Sequence, residues 1–167
     1  KDSVLVTIDY TITEKNYERL RSRSEQLSFE LSRSGHYIVV NTIIGGSKNL
    51  LVGELNRFKE TIGMADAQVQ INISVKLPDN LDLRVKNKFG NIFIDDYKGD
   101  ITIDMSNGRL KAHNLLGYSN IRISFGDAII NQIDSGHLEV FYSDMNLTTA
   151  RKLRITSKTS NITITEV

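Results

Sequence analysis

Asp95, Asp96, Asp100 and Asp104 lie close together in sequence and are the first residues to test for chemistry. Enzymes that cleave polysaccharides need two carboxylates, or a carboxylate and a base, converging on one face. Asp95, Asp96 and Asp100 also flank a turn at Gly99, where aspartate bonds local backbone groups readily. No later copy of the repeat described below carries a matching acidic group. The turn role is therefore the expectation, and no catalytic residue is assigned.

Metal and cofactor chemistry finds no better footing. His36, His113 and His137 are far apart and lack ligand spacing. The column Asn91, Arg109, Asp127, Asp144, Asn161 resembles a calcium ladder only until Arg109 interrupts it, and the Gly-Gly-x-Gly-x-Asp corner of calcium-binding β-rolls is missing. Gly45-Gly46 lacks the Gly-Lys-Ser/Thr ending of a phosphate loop. There is no cysteine, hence no disulfide framework and no thiol chemistry. No metal and no cofactor are expected. Lys15, Arg19, Arg21 and Arg23 are balanced by Glu14, Glu18 and Glu25, which reads as a solvated helix face. With a net charge of +1 there is no electrostatic case for nucleic acid. Three Asn-x-Ser/Thr triplets begin at Asn72, Asn146 and Asn161, a pattern common by chance in Asn/Thr-rich strands.

The elements that position these residues follow from a repeat. Gly90, Gly108, Gly126, Ser143 and Ser160 recur at spacings of 18, 18, 17 and 17 residues. Apolar residues recur two positions later (Ile92, Leu110, Ala128, Met145, Ile162) and four later (Ile94, Ala112, Ile130, Leu147, Ile164). They recur again seven later (Tyr97, Leu115, Ile133, Ala150, Val167) and five earlier (Val85, Ile103, Ile121, Leu138, Ile155). Alternation of period two marks strands with one buried face. A copy of this length cannot bury that face alone and must stack on its neighbours. The expectation is an all-β fold, a parallel β-solenoid of five rungs over residues 81–167, spanning roughly 24 Å at about 4.8 Å per rung.

Glycine is expected at the corner for its access to φ > 0, with Phe89, Phe125 and Tyr142 filling the end of the coil and a second turn at Gly99, Gly117 and Gly136. The outward column Lys86, Asp104, Arg122, Glu139 alternates in sign, as laterally adjacent strands favour. Another outward column reads Phe93, Lys111, Ile129, Asn146, Thr163. Large apolar residues on an open β-face serve either as cover sites or as contacts, so Phe93, Lys111 and Ile129 are the candidate partner surface.

Residues 1–80 read as irregular first coils and a cap within one domain of 167 residues. Val4–Ile12 alternates as a strand, Thr13 is the expected cap of a helix over 14–24, and Leu27–Leu31 and His36–Ile43 form a hairpin. Leu50, Leu51, Leu55, Phe58 and Ile62 fit a second short helix, Ala67–Leu77 a further strand, and Pro78-Asp79-Asn80 the turn into the repeat. Ile, Val and Thr together are about a quarter of the chain, and no apolar run reaches membrane-spanning length. The chain starts at Lys1 and enters a strand pattern at once, which reads as trimmed, so the missing targeting segment is uninformative.

The run Val85-Lys86-Asn87-Lys88-Phe89-Gly90-Asn91-Ile92, with Gly99-Asp100-Ile101, Ser106-Asn107-Gly108-Arg109-Leu110, Phe125-Gly126-Asp127-Ala128 and Tyr142-Ser143-Asp144, resembles the bacterial DUF4097 adhesin family, particularly its Bacteroidetes members. The likeness covers mainly residues 67–167. It implies a β-helical, exported, non-enzymatic protein of the periplasm or cell surface whose partner is a protein or a glycan. It carries over no catalytic or ligand residue. A polysaccharide-active enzyme and an envelope scaffold or signalling module are the alternatives.

Overall fold

The computed structural model describes residues 3–34, 37–44, 68–78 and 81–167. His36, Gly45-Gly46, the candidate helix over 50–62 and the Asp79-Asn80 turn lie outside the described residues. The contacts divide the chain into two compact units, Leu5–Lys76 and one centred on Leu77–Val167.

The first unit is irregular with respect to the repeat. In chain order it holds β1 (Leu5–Thr13), α1 (Tyr17–Gln26), β2 (Leu27–Ser34), β3 (Tyr37–Ile44) and β4 (Gln68–Lys76). β1 pairs antiparallel with β4, and β2 with β3, in contrast with the parallel stacking of the rungs. Tyr10 and Phe29 meet with ring centroids 5.6 Å apart. The helix cap is Asn16 and not Thr13. Thr13 is held in the β1–β4 ladder opposite Gln68, while Asn16 Oδ1 accepts from the Arg19 N–H at 3.1 Å. Both residue types cap well, so the ladder decides between them. Lys15, Arg19 and Arg21 are exposed, with Arg21 bound to Glu25 one turn on at 3.1 Å.

The second unit is a parallel β-solenoid of about five turns. Its strands are β5 (Leu83–Asn87), β6 (Ile92–Ile94), β7 (Ile101–Ser106), β8 (Arg109–Ser124), β9 (Asp127–Phe141), β10 (Asp144–Lys158) and β11 (Asn161–Glu166). β5 pairs with β7, β6 and β7 with β8, β8 with β9, β9 with β10 and β10 with β11, all parallel. The predicted columns are lateral neighbours: Val85, Ile103, Ile121, Leu138 and Ile155 stand opposite one another in turn.

Burial follows the number of neighbours. Ile103, Ile121 and Leu138 are fully buried between adjacent rungs, as are Leu110, Ile130, Ile133, Met145 and Leu147 on the facing strands. Each such side chain is worth about 1.5–3 kcal/mol in area removed from water. Ile155 is 36% exposed and Val167 98%, although both sit in apolar columns. β11 pairs with β10 only as far as Thr149, so the Ile155 half of that strand has a rung on one side alone. The charge ladder is in register too, with Lys86 opposite Asp104, Asp104 opposite Arg122, and Arg122 Nη2 2.5 Å from Glu139 Oε2.

The drop from 18 to 17 residues has a location. Leu115 stands opposite Ile133, but Tyr118 stands opposite Ser135, so Leu116 and Gly117 face the single residue Asp134. That two-against-one arrangement is a β-bulge. It also corrects the second-turn column: Gly117 stacks on Gly99, whereas Gly136 stacks on Ser119.

The corner glycines serve close approach more than positive φ. Only Gly90 has φ above zero, at 99°. In later rungs the left-handed residue is the one before the corner: Asn107, Phe125, Tyr142 and Thr159, at φ 51–55°. A Cβ on Gly108 would lie 1.8 Å from the Gly90 carbonyl oxygen, and one on Gly126 would lie 2.2 Å from that of Gly108. Ser143 and Ser160 fit because their hydroxyls join the stack. Ser143 Oγ accepts from the Gly126 N–H at 3.1 Å, and Ser160 Oγ accepts from the Ser143 N–H at 3.2 Å.

Two stability outcomes follow from this packing. Ile121→Ala opens a cavity in a central rung and should cost about 2–5 kcal/mol in chemical denaturation; an unchanged midpoint would contradict the buried ladder. Gly108→Ala should cost about 1–3 kcal/mol or more, since the methyl meets backbone and not a side chain that can move. Equal stability of Gly108→Ala and the parent would show that the corner is looser than its geometry.

Candidate functional site

Two members of the acidic group, Asp96 and Asp100, stitch rungs together, while Asp95 is exposed. Asp96 Oδ1 accepts the Asn114 N–H at 3.2 Å and the Asn114 side-chain amide at 2.7 Å, and His113 Nδ1 lies 2.6 Å away. Asn114 Oδ1 in turn accepts from Asn131 Nδ2 at 2.7 Å, so the chain of bonds crosses three rungs. Asp100 Oδ1 accepts from the Tyr118 N–H at 2.8 Å. Asp104 stands in the charge ladder between Lys86 and Arg122. His137 reaches Thr156 at 3.3 Å. Among the described residues no three His, Asp or Glu side chains gather as a metal-binding set.

For Asp96, partial desolvation raises the carboxyl pKa, but the hydrogen bond and charge of His113, together with the Asn114 backbone and side-chain bonds, outweigh it. The net position is below the ordinary value of 3.8.

The predicted partner strip is assembled by the lateral register. Phe93 stands opposite Lys111, and Lys111 opposite Ile129, on adjacent parallel strands. Phe93 is 71% and Ile129 47% exposed, and Lys111 is exposed between them. Asn146 and Thr163 continue the column, both exposed. The strip is therefore an outward row of side chains with strand backbones fixed beneath it.

A second surface was not legible as such. Phe125 and Tyr142 do not fill the end of the coil; they point outward, 60% and 45% exposed, with parallel rings 5.1 Å apart and an interplanar angle of 1°. The left-handed backbone at these two residues turns the side chains away from the core, at a cost on the order of 1–3 kcal/mol each for a non-glycine residue. Phe89 is exposed as well, but Asn107 separates it from Phe125 in the column. Below the rings, Arg109 Nη2 binds Asp127 Oδ2 at 3.2 Å, Asn91 Oδ1 accepts the Arg109 N–H at 3.1 Å, and Asp144 Oδ1 accepts from Asn161 Nδ2 at 2.8 Å. Rings and polar row enclose an open groove of about 840 Å³ along the corner. The available signal was Asn107, a residue type prone to left-handed backbone, in the same column as Phe125 and Tyr142.

No family model, curated protein or solved structure matches the chain.

Because the Asp96 pKa is lower in the folded chain than in the unfolded one, its contribution to stability is complete above the ordinary carboxylate value and is lost as pH falls through the folded value. Urea midpoints should therefore fall between about pH 5 and pH 2. Asp96→Asn should make that fall shallower. An identical pH profile for parent and variant would remove Asp96 from the acid-sensitive set.

Proposed function

We propose that this chain is a non-catalytic, exported binding module of the DUF4097 adhesin type, presenting a rigid β-face to a protein or glycan partner at the cell surface. The observation that carries the reading is the Phe93–Lys111–Ile129 row. It places two large exposed apolar groups around a cation, on strands whose spacing is fixed by continuous parallel pairing. A partner meeting such a surface loses little affinity to ordering it, because the backbone is already fixed. Exposed aromatic and aliphatic anchors beside a charge are also the groups that dominate interface energetics.

The non-catalytic part rests on the fate of the carboxylates. Asp96 and Asp100 hold neighbouring rungs together, a role in conflict with the free, paired acid and base of glycoside hydrolysis. The sequence pattern of corners and ladders supports membership in the adhesin-like family. Among the described residues no helix is long and apolar enough to cross a membrane, and export rests on the family likeness.

The test is adhesion with the chain displayed on a bacterial surface. Phe93→Ser combined with Ile129→Ser should leave the melting temperature within a few degrees of the parent, as exposed substitutions do, while adhesion is lost. A clear drop in melting temperature would make the two residues cover sites. Normal melting with unchanged adhesion would take the strip out of the binding surface.

A further inference from the structure

The corner groove carries a site of its own, on residues separate from the strip. We propose that it binds a neutral oligosaccharide, with the open face of Phe125, backed by the stacked ring of Tyr142, as the platform for a sugar ring and Arg109, Asp127, Asp144 and Asn91 as the hydroxyl-binding row.

Three observations and one general property of aromatic rings lead there. The rings are parallel to within 1° and stacked, so each covers one face of the other, yet both are largely exposed, although aromatic side chains next to a packed core are normally drawn into it. They are held outward by left-handed backbone at φ 55° and 51°, a conformation that bulky residues adopt at a cost and that often marks functional positions. On the other side of Phe125 the column holds Asn107, whose amide turns back to the Lys88 carbonyl at 3.4 Å, so no aromatic side chain from that rung stacks on this side of Phe125. The electron-rich face of an aromatic ring attracts the slightly positive C–H groups of a sugar, and carboxylate, amide and guanidinium groups supply acceptors and donors for its hydroxyls.

Charge and backbone narrow the ligand. The lining carries Arg109 against Asp127 and Asp144, and the Lys158 ammonium outside it, 5.8 Å from the centre of the Tyr142 ring, offsets the remaining negative charge. The lining therefore disfavours an anionic chain, and the adjacent ammonium a cationic one. A peptide adding as a strand needs unpaired backbone groups, but here the Asp127 N–H is bonded to the Gly108 carbonyl and the Asp144 N–H to the Gly126 carbonyl. The groove is open to solvent, and its volume of about 840 Å³ is of the size that takes a short oligosaccharide.

The experiment uses the intact protein on an array of neutral and acidic oligosaccharides, followed by titration with the best neutral hexasaccharide. Binding of neutral chains is expected, and Phe125→Asn with Tyr142→Asn should weaken it at least tenfold. Asparagine occupies this column naturally at Asn107 with the same backbone, so the variant should fold. Independently, ring proton resonances of Phe125 and Tyr142 in the unmodified protein should shift during the titration, a readout that needs no variant. The Phe93→Ser, Ile129→Ser protein should bind the hexasaccharide as the parent does, which separates this site from the strip. The proposal is overturned if neutral chains do not bind, if only acidic chains or peptides are captured, or if the ring resonances stay fixed while binding occurs.

Discussion

The approach of one rung's backbone to the next at the corners is the constraint on which the rest of the solenoid depends. Parallel strands set the lateral spacing, and the chain has to turn without leaving it. At Gly108 and Gly126 a carbonyl of the preceding rung occupies the space a methyl group would need. At Ser143 and Ser160 a side chain is accommodated, and its hydroxyl accepts the N–H of the corner residue in the preceding rung. Both solutions keep every rung in phase. Only with the phase kept do Ile103, Ile121 and Leu138 meet as one buried ladder.

The same corner decides what faces outward. At each later corner the residue before the stacked position takes the left-handed conformation, and at Phe125 and Tyr142 the side chain is turned out to solvent. Asparagine tolerates this with little strain, and phenylalanine and tyrosine do so at a cost. The outward ring stack is thus a product of a backbone requirement and of residue choice. The polar groups beneath it, Arg109 with Asp127 and Asp144 with Asn161, are paired between rungs in the manner of cross-strand partners.

The acidic stretch shows how a chemically suggestive cluster becomes structural. Asp96 and Asp100 sit where the first rung turns, and the groups within reach are backbone and amide donors of the second rung. Asp96, which accepts both Asn114 bonds beside His113, is thereby held below the ordinary carboxylate value and in place.

The sequence alone determined the parallel solenoid, its five-fold column pattern, the lateral charge ladder and the outward position of Phe93 and Ile129. Period-two alternation at a constant repeat leaves one arrangement that buries every apolar column, so these features follow from spacing. Three matters were decided only by tertiary structure. The shift of register lies in a bulge at Leu116 and Gly117, because only the facing strand shows which residue lost its partner. Ile155 is partly exposed despite its apolar column, because burial depends on a rung at each side and not on the residue's own periodicity. Phe125 and Tyr142 face solvent and not the core, because the stacked backbone moved the left-handed turn one residue ahead of the glycine, where side-chain direction is set by φ and not by strand parity.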